Sequence, residues 1–259
     1  MEPVVKFEVK DDVAWVTFNR PAAANTINLQ VGRELLDAAT RCEGTRGLGA
    51  VVLTGAGKAF CFGGDLSAMM MNEPDSVGAY LRELTIDLHA AVVAFTRLPV
   101  PVIAAVNGTA AGAAVGLVAM ADLAVAGDGA RFALSYTAVG LTPDGGTSYF
   151  LPRLLGQRRA LELALTNRVL TAREALDWGL VNQVVPDDRV LTEASGLASR
   201  LAAGAAGALG QAKRLMRSEA GLEAQLEDES RSIAAQGGGP EAAEGISAFL
   251  AKRKPDFRR

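Results

Sequence analysis

Apolar residues crowd two short runs within the first twenty residues. Val4 to Val9 and Val13 to Asn19 both read as strands. Asp11-Asp12 between the two runs supplies turn chemistry, so the chain is expected to open on a hairpin. Leu29 to Ala39 changes to helical spacing, and Ala50 to Leu53 is an unbroken apolar run that reads as a buried strand. A longer helix is predicted next, with Leu81, Thr85, Leu88, Val92 and Phe95 on one face and Ser76 as its N-cap. Pro99 and Pro101 stop it, because proline lacks an N–H and disfavours helix at the residue before it. Val102 to Val106 reads as a strand, Gly112 to Ala121 as a helix and Leu123 to Ala126 as a further strand. This recurrence of strand, loop, helix and strand predicts an α/β fold with parallel pairing.

Asp144-Gly145-Gly146-Thr147 opens another helical region. Thr171-Ala172-Arg173-Glu174 is a capping box, and Trp178-Gly179 ends the helix it starts. From about Pro186 onward the chain shows no strong strand signal. Alanine-rich helices dominate there, broken by Gly204, Gly207, Gly210 and Gly237-Gly238-Gly239. The composition shift suggests a core over 1–199 and a helical region over 200–259. No internal repeat is evident.

Two segments carry candidate chemistry. Phe60-Cys61-Phe62-Gly63-Gly64-Asp65-Leu66 follows a buried strand and turns into a helix, and Asn107 to Gly116 has the same character. Such turns leave backbone N–H groups without helical partners. Two of them aimed at one point would hold one developing oxyanion.

The bulk numbers narrow the classes. At 259 residues, 49% hydrophobic, the chain suits one large domain or a core with an appendage. A net charge of −3 gives no support to a nucleic-acid partner, and Lys252-Arg253-Lys254 is too short a basic run to change that. Two cysteines in no ligand spacing and one histidine argue against a disulfide framework and against a metal site. Gly55-Ala56-Gly57-Lys58 lacks the spacing of a phosphate-binding loop. The start of the chain shows no leader pattern, and the apolar stretches are too short to span a bilayer, so a cytoplasmic protein without a membrane partner is expected.

Several segments, in their order and spacing, carry a family resemblance. They are Phe18-Asn19-Arg20-Pro21 with Asn25, Leu53-Thr54-Gly55 through Leu66, Pro101 through Gly108, and Ala121-Asp122-Leu123. Further along come Gly140 through Gly146, Ala175 through Val181, and Phe249 through Pro255. The chain resembles the enoyl-CoA hydratase/isomerase (crotonase) superfamily along nearly its whole length. The resemblance implies an α/β fold, a spiral of ββα units with a C-terminal helical trimerisation region, assembled as a homotrimer or a dimer of trimers. It implies an acyl-CoA thioester substrate, with coenzyme A as part of the substrate and no separate cofactor. The backbone N–H groups of Gly64 and Ala113 match the family's oxyanion hole. Ala22-Ala23-Ala24 matches the loop along the CoA chain. Gly63, Asp65, Leu66 and Tyr136 are carried over as substrate contacts. Phe249 and Lys252 match residues that a neighbouring subunit lends to the adenine and the phosphates. Asp65 also reads as a helix cap, Lys252 as a solvated tail lysine, and Met69-Met70-Met71 as acyl-pocket wall or core packing.

The reaction turns on carboxylates. Where hydratases of the family carry two glutamates, this chain has Gly116 and Tyr136. The remaining candidate is Asp144, which matches the aspartate base of isomerases that move a double bond from the 3- to the 2-position. Its other reading is as the cap of the following helix. Phe132 to Val185 also resembles the 4-chlorobenzoyl-CoA dehalogenases, in which the matching aspartate is a nucleophile and a histidine matching His89 assists hydrolysis. Tyr136 departs from that pattern, which has tryptophan, and His89 also reads as a packed or surface residue. The expectation is therefore a 3-enoyl-CoA isomerase. The rivals are a hydratase, an aryl-CoA dehalogenase or hydrolase, and a non-catalytic relative that binds CoA esters or RNA.

Overall fold

The computed structural model describes residues 2–71, 73 and 76–257. The chain begins with the expected hairpin, β1 (Val5–Lys10) against β2 (Val13–Phe18). Asp11 and Asp12 both take positive φ, 50° and 62°, the geometry of a two-residue turn that matches the strand twist. Helix α1 (Leu29–Gly44) runs beyond Ala39 because Cys42 continues the buried stripe of Leu35, Ala38 and Ala39 by one more turn.

A unit of two strands and a following helix then occurs three times. β3 (Ala50–Gly55), β4 (Ala59–Cys61) and the helices α2 (Leu66–Met70) and α3 (Val77–Arg97) make the first. β5 (Val102–Val106), β6 (Thr109–Ala111) and α4 (Ala113–Met120) make the second, and β7 (Leu123–Gly127), β8 (Arg131–Ala133) and α5 (Thr147–Leu155) the third. The first strand of each unit joins one sheet and the second strand joins another. The larger sheet has the order β1-β2-β3-β5-β7-β10, parallel apart from the opening hairpin, and the smaller has the order β4-β6-β8-β9. This is the spiral of ββα units. The chain closes it with α6 (Gln157–Thr166), β9 (Leu170–Thr171), α7 (Ala172–Trp178) and β10 (Gln183–Val185). The strands of the smaller sheet have two or three residues each, too few to show a period.

Every residue of α4 is buried, as its Ala-Ala-Val-Gly-Leu-Val-Ala-Met sequence requires. Helix α8 (Val190–Ala202) lays Val190, Ala194 and Ala198 against Val13, Ala50, Val52, Ile103 and Ala105 of the larger sheet. It ends at Ala202, packed so closely on Gly49 that a Cβ there would stand 2.5 Å from Ala202 Cα. Beyond it lie α9 (Ala206–Met216), α10 (Leu222–Gly237) and α11 (Pro240–Leu250). Asp122 fastens α9 and the residue after it to the core, pairing with Lys213 at 2.8 Å and Arg217 at 2.7 Å. Leu222, Ile233, Ile246, Phe249 and Leu250 on α10 and α11 are exposed.

Ser76 does not cap α3. Its backbone is helical, at φ −99° and ψ −9°, so its hydroxyl turns back and donates to Glu73 O at 2.7 Å. No helix among the described residues is long and apolar enough to cross a membrane.

Candidate active site

The glycine loop after β4 is built to expose one N–H. Gly63 has φ +76°, and a Cβ on it would lie 2.5 Å from Ala111 O, so both the conformation and the space demand glycine. Ile27 N–H donates to Gly63 O at 2.7 Å and Asp65 N–H donates to Ile27 O at 2.9 Å. Successive backbone groups alternate in direction, so the Gly64 N–H between them points away from Ile27. The second turn repeats the device. Gly112 takes φ +53° and α4 starts at Ala113, whose N–H, as the first of a helix, has no intrahelical acceptor.

Two asparagines fasten the connection between β3 and β4 that leads into the first turn. Asn25 Nδ2 donates to Ala56 O and Ala59 O, each at 2.9 Å, while its Oδ1 accepts from Arg20 N–H. Asn107 Nδ2 donates to Gly55 O at 2.8 Å and Gly57 O at 3.0 Å. Both residues lie in the segments that carry the family resemblance, but nothing local reveals their task, because their acceptors are backbone carbonyls about thirty to fifty positions away.

Gly64 and Ala113 line one cavity of about 460 Å³ together with Asp144, Tyr136 and an apolar wall that includes Phe62, Leu66, Met69 and Leu88. Asp144 is the one carboxylate among its described lining residues. Its side chain does not cap α5, whose N-cap is Gly146 and receives no side-chain bond. Instead Asp144 Oδ1 accepts a 2.5 Å hydrogen bond from Tyr136 Oη. Burial pushes the Tyr136 phenol far above its ordinary pKa, and the adjacent Asp144 charge and hydrogen bond add to the rise. Tyr136 therefore stays a donor, which fixes one carboxylate oxygen and leaves the other available.

Asp144 is followed by two left-handed glycines, Gly145 at φ +59° and Gly146 at φ +81°. The Gly145 N–H donates to His89 Nε2 on α3 at 3.2 Å. The Gly145 carbonyl fills the space beside α4, where a Cβ on Gly116 would stand 2.4 Å from it and 2.8 Å from Thr147 Oγ1. No side chain fits at position 116 without moving the Asp144 turn. Thr147 Oγ1 is buried beside this contact, next to the Tyr136 phenol.

The other expected residues are distributed as follows. Leu66 lines the cavity; of the three methionines only Met69 does, while Met70 and Met71 are 79% and 88% exposed. Asp65 lies outside the lining. It caps α2 by accepting from Ala68 N–H at 3.1 Å, and pairs with Arg20 at 2.9 Å. Burial pushes its pKa upward, but the Ala68 N–H and the Arg20 guanidinium outweigh this and hold the carboxyl below its usual range. Ala22 and Ala24 sit at the short helical turn over Pro21–Ala23, and Ala24 O accepts from Phe62 N–H at 3.1 Å. Phe249 and Lys252 lie at the end of α11, exposed, and do not line this cavity within one chain. Burial pushes the thiols of Cys42 and Cys61 up to about 12. Among the described residues no three His, Cys, Asp or Glu side chains gather as a metal site.

A ββα spiral with two glycine turns and one carboxylate lining a shared cavity, among the described residues, defines a class of fold and site. The sequence model of the enoyl-CoA hydratase/isomerase family matches residues 8–259, and the chain belongs to that family. It is 35% identical over 250 residues to 4-chlorobenzoyl coenzyme A dehalogenase-2 of an Arthrobacter species, covering 96% of this chain and 91% of the relative. It is 35% identical over 251 residues to 1,2-epoxyphenylacetyl-CoA isomerase of Escherichia coli (strain K12), covering 96% of each. A crystal structure of an enoyl-CoA hydratase from Polaromonas sp. JS666 superposes with a TM-score of 0.92 at 34% identity, over 98% of this chain and 99% of that one.

Proposed function

We propose that the protein isomerises acyl-CoA thioesters, moving a double bond from the 3- to the 2-position, with Asp144 as the base. The observation that carries this reading is that Asp144 is the single carboxylate among the described residues lining a cavity shared with the Gly64 and Ala113 turns. The thioester oxygen sits against the two N–H groups. Asp144, with Oδ1 held by Tyr136, uses Oδ2 to take the proton α to the carbonyl. The electron pair spreads over the dienolate, whose oxygen carries the charge at the two N–H groups. Asp144 then returns the same proton to the γ carbon, so no water and no redox partner enter the balance. Hydration by the two-carboxylate route is disfavoured because the Gly145 carbonyl fills the space at Gly116.

A second reading, nucleophilic attack by Asp144 on an aryl-CoA, draws support from the dehalogenase likeness and from His89 beside the Asp144 turn. Coenzyme A is the only carrier the reading needs. Phe249 and Lys252 would reach a neighbouring subunit's CoA in a homotrimer or dimer of trimers, consistent with the exposed apolar residues of α10 and α11. The proposed setting is cytoplasmic, with no nucleic-acid or membrane partner.

The test is to supply 3-enoyl-CoA, 2-enoyl-CoA and 4-chlorobenzoyl-CoA separately. Isomerisation gains the conjugated enoyl absorbance, hydration loses it and dehalogenation releases chloride. The variant Asp144→Asn should bind CoA esters and not turn over; isomerisation at the wild-type rate by Asp144→Asn would refute the assignment.

A further inference from the structure

We infer that His89 is a positioning residue that acts on Asp144 through the backbone of Gly145, rather than a base that acts on water. The inference rests on the reading of Asp144 as the base. A ring nitrogen that accepts from a backbone N–H carries no proton, so the 3.2 Å bond from Gly145 places the His89 proton on Nδ1 and engages the Nε2 lone pair. The nitrogen that faces the Asp144 turn is therefore already occupied.

The turn needs such a support. Gly145 and Gly146 both sit at positive φ, a backbone available to glycine but one in which glycine is also at its most mobile. No side chain of their own packs them down. On one side Gly145 lies against Ala113, where a Cβ on it would stand 3.1 Å from Ala113 Cβ. On another its carbonyl lies beside Gly116. Its N–H is held by the exposed His89 side chain of α3, a helix of 21 residues anchored in the core by Leu84 and Leu88. Tyr136 restrains the Asp144 carboxylate and His89 restrains the peptide that follows it. Together they fix both ends of the side chain's lever. A base displaced by one ångström from its carbon loses on the order of a hundredfold in rate.

The experiment uses two substitutions in the full-length protein. His89→Gln keeps a carbonyl acceptor at similar reach, and His89→Leu removes the acceptor. With 3-enoyl-CoA as substrate, His89→Leu should lower kcat by about 10- to 100-fold with little change in KM, and His89→Gln should recover most of the loss. A wild-type kcat in His89→Leu overturns the inference, and so does a His89→Gln that falls as far as His89→Leu. Nitrogen-15 spectra give a readout independent of turnover, since the chain has one histidine and hence one imidazole signal set. The expected pattern is a protonated Nδ1 and a bare Nε2; a proton on Nε2 in the neutral ring overturns the inference. Failure of the Asp144 reading shows separately, as isomerisation by Asp144→Asn or as absence of isomerisation in the wild type.

Discussion

Removing one oxygen atom, by Tyr136→Phe, isolates the bond on which the proposed base depends. The hydroxyl donates to Asp144 Oδ1 at 2.5 Å, and nothing else among the described residues hydrogen-bonds that carboxylate. A hydrogen bond to a charged acceptor contributes about 1.5–3 kcal/mol. If that free energy goes into orienting the base, then at ~1.36 kcal/mol per decade kcat falls by about 10- to 150-fold. KM should change little, because the proposed function places the thioester oxygen and the CoA on other groups. The assay is initial-rate formation of the conjugated enoyl thioester, with circular dichroism to show that the variant is folded. A folded Tyr136→Phe with the wild-type kcat would refute the idea that this bond positions the base. The same contact makes an alkaline prediction. The folded-state pKa of Tyr136 is raised, chiefly by burial, above the ordinary value of ~10. Between that value and the higher folded one, the unfolded chain releases a proton that the native state keeps. Stability from this group is thus complete below pH ~10 and lost as pH rises beyond it. Tyr136→Phe should flatten the alkaline limb of the unfolding curve, and an unchanged limb would assign that limb to other groups.

Two further substitutions address the oxyanion turns and the missing glutamate. Ala113→Pro removes a backbone donor at a helical first position that tolerates proline, and should cost about 2.7–4 kcal/mol of transition-state stabilisation, measured as kcat/KM; the ring Cδ also enters the space of the oxygen, so a smaller loss would count against Ala113 as a donor. Gly116→Glu restores the carboxylate that hydratases carry, yet it should destabilise the protein by roughly 1–3 kcal/mol or more and yield no hydration of 2-enoyl-CoA, because the Gly145 carbonyl holds that space. Urea unfolding and loss of the enoyl absorbance report the two effects, and a stable, hydrating Gly116→Glu would show that the Asp144 turn gives way.

The parts of this protein that a linear reading reaches are those whose cause is local. The Asp11-Asp12 turn, the buried strands and the glycine turns at Gly63 and Gly112 each follow from residues within a few positions. Strands of two or three residues escape, because a period needs more repeats than they have and their pairing partners lie in other units. The same distinction divides the site. Glycine at positive φ announces an exposed N–H from within its own turn, so the proposed anion-holding half of the chemistry is visible early. The other half is a set of contacts between distant residues. Tyr136 reads as a mere substitution for a glutamate until its hydroxyl is found on Asp144, and His89 as a lone histidine until Gly145, 56 positions on, donates to it. Gly116 reads as a lost carboxylate, whereas its space is taken by the carbonyl of the turn that carries the proposed base. The absence of one acid and the placement of the other are thus a single structural fact. Two-carboxylate chemistry in this chain would require rebuilding the Asp144 turn as well as replacing Gly116.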